Sequence, residues 1–310
     1  MENLNLGVNM AGLSFKNPII AASGTFGFGL GYEDYLDLNI LGGISVKGLT
    51  LEARKGNPPP RIAETPSGIL NSVGLENPGI EYFLDRTALP LRQFDTVIIA
   101  NINGNTSDEY CHMAEKLQDA PIDMVELNLS CPNVKEGGIA FGTDPKTVYS
   151  ITKAVKRHTS QPLIVKLTPN VTDISQIALA AQQGGADVIS LVNTFLGMAI
   201  DARTRRPILN NITGGLSGPA IKPLALRMVW QVSQLVEIPI IGMGGIMTGE
   251  DVVEFLLAGA TAVSVGTANL VSPTAMIDIL DGLKNYMTAN KITNVNELIG
   301  GLITEGGNKL

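Results

Sequence analysis

Pro239-Ile240-Ile241-Gly242-Met243-Gly244-Gly245, then the helical pattern Gly249–Leu257, then Ala262-Val263-Ser264-Val265-Gly266-Thr267: this stretch decides the fold. Two short apolar runs, Pro239–Gly242 and Ala262–Gly266, flank one amphipathic segment, and each run ends in glycine. Strands that are apolar on both faces belong to a parallel sheet covered by helices, because an antiparallel sheet with one wet face would alternate.

The same unit recurs upstream. Apolar runs rich in Val and Ile stand at Pro18–Ser23, Gly43–Lys47, Thr96–Asn101, Asp123–Leu129, Leu163–Leu167 and Asp187–Val192. Helical patterns stand at Ser107–Leu117, Asp144–Arg157, Asp173–Gln183 and Ala220–Leu235, and Pro273–Thr288 follows the last strand. Such alternation, repeated roughly eight times, predicts an α/β fold, a (β/α)8 TIM barrel, better than a doubly wound sheet. Residues 1–310 are expected to form one domain. Between Leu4 and Phe15 two short alternating segments flank Ala11-Gly12, predicting an N-terminal β-hairpin that closes one end. Three connections exceed what a barrel needs: Gly48 to about Gly79, Pro132 to Gly142, and Asn193 to Pro219. All follow strands, so they are expected as extended loops at the C-terminal face, where barrel enzymes carry their active sites.

The chain is 45% hydrophobic and 16% charged, with a mean hydropathy of +0.20. That supplies a sizeable core and excludes disorder on composition. A net charge of −7 and a pI near 5.0 argue against a nucleic-acid surface, which needs a dense basic patch. Two cysteines, Cys111 and Cys131, cannot build a disulfide framework, a four-thiolate zinc site or an iron–sulfur cluster. His112 and His158 lack metal-ligand spacing, and no metal is expected. The opening Met1-Glu2-Asn3-Leu4-Asn5 has neither a basic n-region nor an apolar h-region, and no run approaches the ~20 apolar residues of a membrane span. A cytoplasmic protein without a membrane anchor is expected.

Glycines at Gly242–Gly245 and Gly266 close the seventh and eighth strands, the habitual phosphate site of barrels, where backbone N–H groups and a helix N-terminus meet an anion. A phosphate-bearing ligand is expected there; the alternative is glycines that only make tight turns. Met247 interrupts any dinucleotide fingerprint, and no Walker-type Gly-Lys-Ser/Thr occurs. Lys47 and Lys166 stand near the ends of apolar strands, where an ammonium is costly to bury without an anion. Either could instead leave the sheet edge for water. Asn101 and Asn128 end their strands and Asn193-Thr194 follow theirs; amides suit a ring of alternating N–H and C=O groups.

Most cysteines are small buried hydrophobes. Cys111, in a helical pattern beside His112, is expected to be one. Cys131 differs by position, in Glu126-Leu127-Asn128-Leu129-Ser130-Cys131-Pro132-Asn133, just past a strand end and ahead of Lys135-Glu136-Gly137-Gly138, a segment able to close over a ligand. It is the candidate catalyst. Arg203, Arg205 and Arg206 are expected on a solvated loop face.

Ala22-Ser23-Gly24, Lys47-Gly48, Gly56-Asn57-Pro58-Pro59-Pro60-Arg61, Asn71-Ser72-Val73-Gly74-Leu75-Glu76-Asn77-Pro78-Gly79 and Asn128-Leu129-Ser130-Cys131-Pro132-Asn133 together resemble dihydroorotate dehydrogenase, from about residue 5 to about residue 285. The resemblance implies an FMN-binding barrel that oxidises dihydroorotate to orotate in pyrimidine synthesis. By matching motif it implies FMN contacts at Ala22, Ser23, Gly24, Lys47, Gly48, Asn101, Asn128, Lys166, Val192, Gly218, Gly244, Gly245, Gly266 and Thr267, the phosphate lying at the last four. It implies orotate contacts at Lys47, Asn71, Ser72, Val73, Gly74, Leu75, Asn128, Asn193 and Thr194. The Cys131 thiolate would take the C5 proton while the C6 hydride passes to flavin, with base and flavin on opposite sides. An unperturbed thiol, with a pKa near ~8.5, would make activity rise with pH. Lys166 would stabilise charge on the reduced flavin and Lys47 the substrate carboxylate.

Within the family, a membrane-associated, quinone-using class has a serine base and an extra N-terminal region; a cysteine base excludes it. One soluble class is a fumarate-reducing homodimer. The other pairs with a subunit carrying FAD and a 2Fe-2S cluster and passes electrons to NAD. Phe26-Gly27-Phe28-Gly29 and the loop from Asn193-Thr194-Phe195-Leu196-Gly197-Met198 through Arg205-Arg206-Pro207 resemble this NAD-linked class. A homodimer joined to an electron-transfer subunit, as a heterotetramer, is therefore expected. The alternatives are the fumarate-reducing homodimer, a barrel aldolase with a Schiff base on Lys166, and a flavin scaffold with an inert Cys131.

Overall fold

The computed structural model of the protein describes residues 4–129 and 141–304. Strands β1 (Val8–Met10) and β2 (Leu13–Phe15) pair antiparallel as the expected hairpin. Ala11 (φ 50°) and Gly12 (φ 82°) between them are both left-handed, as in the type I′ turn whose twist matches a two-residue hairpin. Val8, Met10 and Phe15 are buried. A Cβ on Gly43 would come within 3.3 Å of the Phe15 ring, so the hairpin plugs the barrel at the N-terminal ends of its strands.

In chain order there follow β3 (Ile19–Ala21), β4 (Gly43–Ser45), β5 (Ile62–Thr65), β6 (Gly68–Asn71), β7 (Val97–Ile102), β8 (Met124–Asn128), β9 (Leu163–Lys166), β10 (Val188–Leu191), β11 (Phe195–Met198), β12 (Ile200–Asp201), β13 (Arg206–Pro207), β14 (Thr213–Ser217), β15 (Ile240–Met243) and β16 (Ala262–Val265). Parallel pairing runs β3-β4-β7-β8-β9-β10-β15-β16 and returns to β3, a closed barrel. Each of the eight apolar runs supplies one barrel strand.

Helices wrap the outside, and several begin at a capping side chain. Thr106 caps Ser107–Leu117, Asp144 caps Pro145–Lys156 and Asp173 caps Ile174–Gln183, each side chain accepting a backbone N–H of the first turn. Lys222–Ser233, Gly249–Leu257 and Ala275–Ala289 complete the main outer helices. No helix among the described residues is long and apolar enough to cross a membrane.

Two of the connections expected as loops are in fact a sheet. Segments after β4 and after β10 pair antiparallel in the order β11-β14-β6-β5. Neither segment carries a strand pattern by itself: Thr213-Gly214-Gly215-Leu216-Ser217 is glycine-rich, and its partner, Gly68–Asn71, is far away in the chain. A helical stretch follows the first connection, as Ile80–Phe83, the π-helical Leu84–Ala88 and Leu89–Leu91. Pro90 stands in the first turn of Leu89–Leu91, directly after the π-helical residues. Most of the connection Pro132 to Gly142 lies outside the described residues.

Candidate active site

In a parallel barrel all strands point their C-terminal ends to one mouth, and beneath it β4, β7, β8, β9 and β10 bring polar side chains together inside the barrel. The Glu126 carboxylate (β8) accepts hydrogen bonds from Ser45 Oγ (β4, 2.9 Å), Asn101 Nδ2 (β7, 2.5 Å) and Ser190 Oγ (β10, 2.8 Å). Lys166 Nζ (β9) stands 4.0 Å from the same carboxylate. All five residues are buried, a burial that is tolerable because the charge is both paired and hydrogen-bonded. Asn101 Oδ1 accepts from Asn103 Nδ2 (2.9 Å), which fixes the Asn101 amide with its N–H side toward Glu126. At 4.0 Å the Lys166–Glu126 contact is an ion pair too long for a hydrogen bond.

Beside this floor the chain turns through Gly218 (φ 97°), Gly244 (φ 125°) and Gly245 (φ 78°), conformations that glycine adopts without strain. These turns touch one another. A Cβ on Gly245 would lie 2.9 Å from Gly218 O, one on Gly218 3.4 Å from Thr267 Cγ2, one on Gly244 3.5 Å from Val192 Cγ2, and one on Gly266 3.6 Å from Ala22 Cβ. A Cβ on Gly24 would meet nothing within 4 Å, so this glycine borders open space. The turn after β15 is braced from outside by Lys222, which pairs with Asp251 (2.6 Å) and Glu254 (2.9 Å). Asp251 Oδ2 in turn accepts the N–H groups of Met247 and Thr248, and Thr248 Oγ1 accepts the Asp251 N–H, a capping box. Burial pushes the Asp251 carboxyl up, but the hydrogen bonds from Lys222, Met247 and Thr248 outweigh it and hold the group below its ordinary 3.8.

These residues fit a flavin mononucleotide. Glycine turns packed too closely for side chains, with Gly24 at the edge of open space, suit a phosphate, while the amide and ammonium of Asn101 and Lys166 offer donors to a heterocyclic ring.

The antiparallel sheet is anchored at the same mouth. A Cβ on Gly215 would overlap the Thr194 side chain, and Asn71 Nδ2 donates to Gly215 O (3.4 Å). Asn193 Nδ2 reaches Asn128 Oδ1 (3.5 Å). The segment Asn71–Leu75 is held by Asn57, whose Nδ2 and backbone N–H donate to the carbonyls of Ser72 (2.9 Å) and Val73 (2.9 Å). Leu75 sits at φ 57°, a costly conformation for a leucine that Asn77 secures by donating to its carbonyl (2.7 Å). Ser72 Oγ is buried and meets no hydrogen-bond partner among the described residues. Lys47 follows β4 into this space; burial lowers its ammonium below the ordinary 10.5, Glu76 opposing that shift and Arg61 adding to it.

The structure thus gathers the described positions matched above, floor, glycine turns and sheet, at one end of the barrel. Cys131 and the glycine-bearing segment after it lie outside the described residues. A cavity of about 940 Å3 opens at the opposite end, but Lys16 and Arg92 there are already paired with Asp95 and Asp123, and none of the matched residues lines it. Sequence reasoning missed Glu126, Ser45 and Ser190. The signal was present, since each is a polar residue inside an apolar strand, the criterion that singled out Lys166. Cys111 packs against the core as expected, and Arg203, Arg205 and Arg206 are exposed.

The family model described as Dihydroorotate dehydrogenase matches residues 5–287. A relative from Alkaliphilus metalliredigens, named dihydroorotate dehydrogenase B (NAD(+)), catalytic subunit, is 59% identical over 302 residues, covering 97% of this chain and 100% of its own. Relatives with the same name from Alkaliphilus oremlandii and Thermoanaerobacter pseudethanolicus are 59% and 54% identical, covering 97% and 96% of this chain and 100% and 99% of their own. This chain belongs to the dihydroorotate dehydrogenase family of FMN-dependent oxidoreductases.

Proposed function

We propose that this chain oxidises dihydroorotate to orotate as the catalytic subunit of an NAD-linked enzyme, handing electrons to a partner subunit that carries FAD and a 2Fe-2S cluster. The observation that carries the reading is the buried Asn101–Glu126–Lys166 floor opening onto glycine turns at one mouth, with the desolvated Lys47 ammonium beside it. The relatives' shared name supports the electron route.

Lys47 pairs with the substrate carboxylate, since a desolvated ammonium gains most from an anion. Asn71, Asn128, Asn193 and Thr194, with the Ser72–Leu75 backbone, meet the N–H and C=O groups of the ring. The Cys131 thiolate takes the C5 proton, and loss of that proton together with the C6 hydride forms the C5=C6 double bond. FMN, when bound, supplies the hydride acceptor. Lys166 and Asn101 hold donors where negative charge accumulates. The assembly is a homodimer of this chain joined to partner subunits as a heterotetramer, in the cytoplasm.

Cys131→Ala tests the base. Mixed with dihydroorotate in a stopped-flow flavin assay, the variant should retain flavin yet be reduced ~10² to 10⁴ times more slowly; reduction at the parent rate would refute the role. The electron route is tested separately: purified without a partner, the chain should reduce NAD poorly, and efficient NAD reduction by the chain alone would overturn the class.

A further inference from the structure

Glu126 has no assigned part in the chemistry, yet it is the residue on which the floor of the site is built. Its carboxylate takes three hydrogen bonds from three other strands, and it lies 4.0 Å from the ammonium of a fourth. It stands one inward position beneath Asn128 on β8, since side chains two apart share a face. A carboxylate this deep is expensive and would be replaced without loss by an apolar residue if packing were its only task.

We propose that Glu126 is a positioning residue: it orients the Asn101 amide, holds the Lys166 ammonium, and sets the net charge of the floor that would meet the flavin. The inference rests on the FMN reading above. Reduction adds negative charge to the flavin, so a buried carboxylate nearby disfavours it and a buried ammonium favours it. The pair Glu126 and Lys166 therefore sets the potential of the bound cofactor between two opposed charges, while Ser45 and Ser190 each hold one oxygen of the carboxylate and fix its orientation.

The test measures the midpoint potential of FMN on the loaded chain by equilibration with reference dyes, together with FMN affinity by fluorescence quenching. Glu126→Gln keeps the shape and removes the charge. It should bind FMN and shift the reduced-to-oxidised ratio at least tenfold toward reduced, ~30 mV for a two-electron couple. Lys166→Met should shift it the opposite way, and Glu126→Gln/Lys166→Met should return toward the parent value. A merely structural Glu126 would lower the melting temperature and leave the potential where it was; that result overturns the proposal. If the single glutamine variant does not fold, comparing the double variant with Lys166→Met poses the same question, and equal potentials overturn the proposal again. A parent chain that binds no FMN would instead sink the FMN reading, and the two failures are thereby distinguished.

Discussion

Lys47 carries the clearest tension at the scale of one residue. Burial lowers its ammonium below 10.5, so the ligand-free fold holds that proton less tightly than the unfolded chain does. By linkage a lysine depressed in this way costs stability at neutral pH, and the cost is relieved as pH rises through the lowered value. An anionic substrate reverses the balance. Lys47→Met should therefore raise the melting temperature of the ligand-free protein at neutral pH while raising KM for dihydroorotate about tenfold or more, the scale of a lost charged hydrogen bond. In the parent protein kcat/KM should fall again at alkaline pH, beginning below 10.5, as the ammonium is lost. Lys47 and Lys166 were legible from sequence because a charge in an apolar run must be answered by something. Glu126 obeyed the same rule, but only the structure gives its partners, which come from four other strands.

Among the elements, the helix Gly249–Leu257 shows how a cap reaches a binding turn. Thr248 and Asp251 close its first turn, and Asp251 also grips Lys222, against whose Cβ a Cβ on Gly245 would press at 2.7 Å. Thr248→Ala should cost about 1 kcal/mol, and Asp251→Asn about 1.5–3 kcal/mol for its charged hydrogen bonds, both read from denaturant melts. Because the Asp251 carboxyl is held below 3.8, its stabilisation is present above that pH and is lost as pH falls through the depressed value. Asp251→Asn should accordingly be less stable at neutral pH and converge with the parent in acid. Helix starts at Ser107, Asp144 and Asp173 were legible to within one residue, since an N-cap is a local signal. Strands β5, β6, β11 and β14 were not: β6, β11 and β14 carry glycines, and all four are too short to leave a period to read.

On the scale of the whole molecule, the barrel brings the ends of distant strands together and the antiparallel sheet completes the mouth. Gly215 is where the two meet: a side chain there would displace Thr194. Gly215→Ala should leave FMN content near the parent level and raise KM for dihydroorotate, because the sheet positions residues matched to substrate and the glycine turns those matched to phosphate. Loss of FMN with unchanged KM would reverse that division. The sequence by itself determined the barrel, its eight strands, its outer helices and the end at which glycines, asparagines and lysines collect, because apolar periodicity is local and recurs along the chain. Tertiary structure alone decided that two glycine-rich connections pair into a sheet and that Glu126 joins five strands under the site, because both depend on hydrogen bonds between residues far apart in the chain, which no local pattern records.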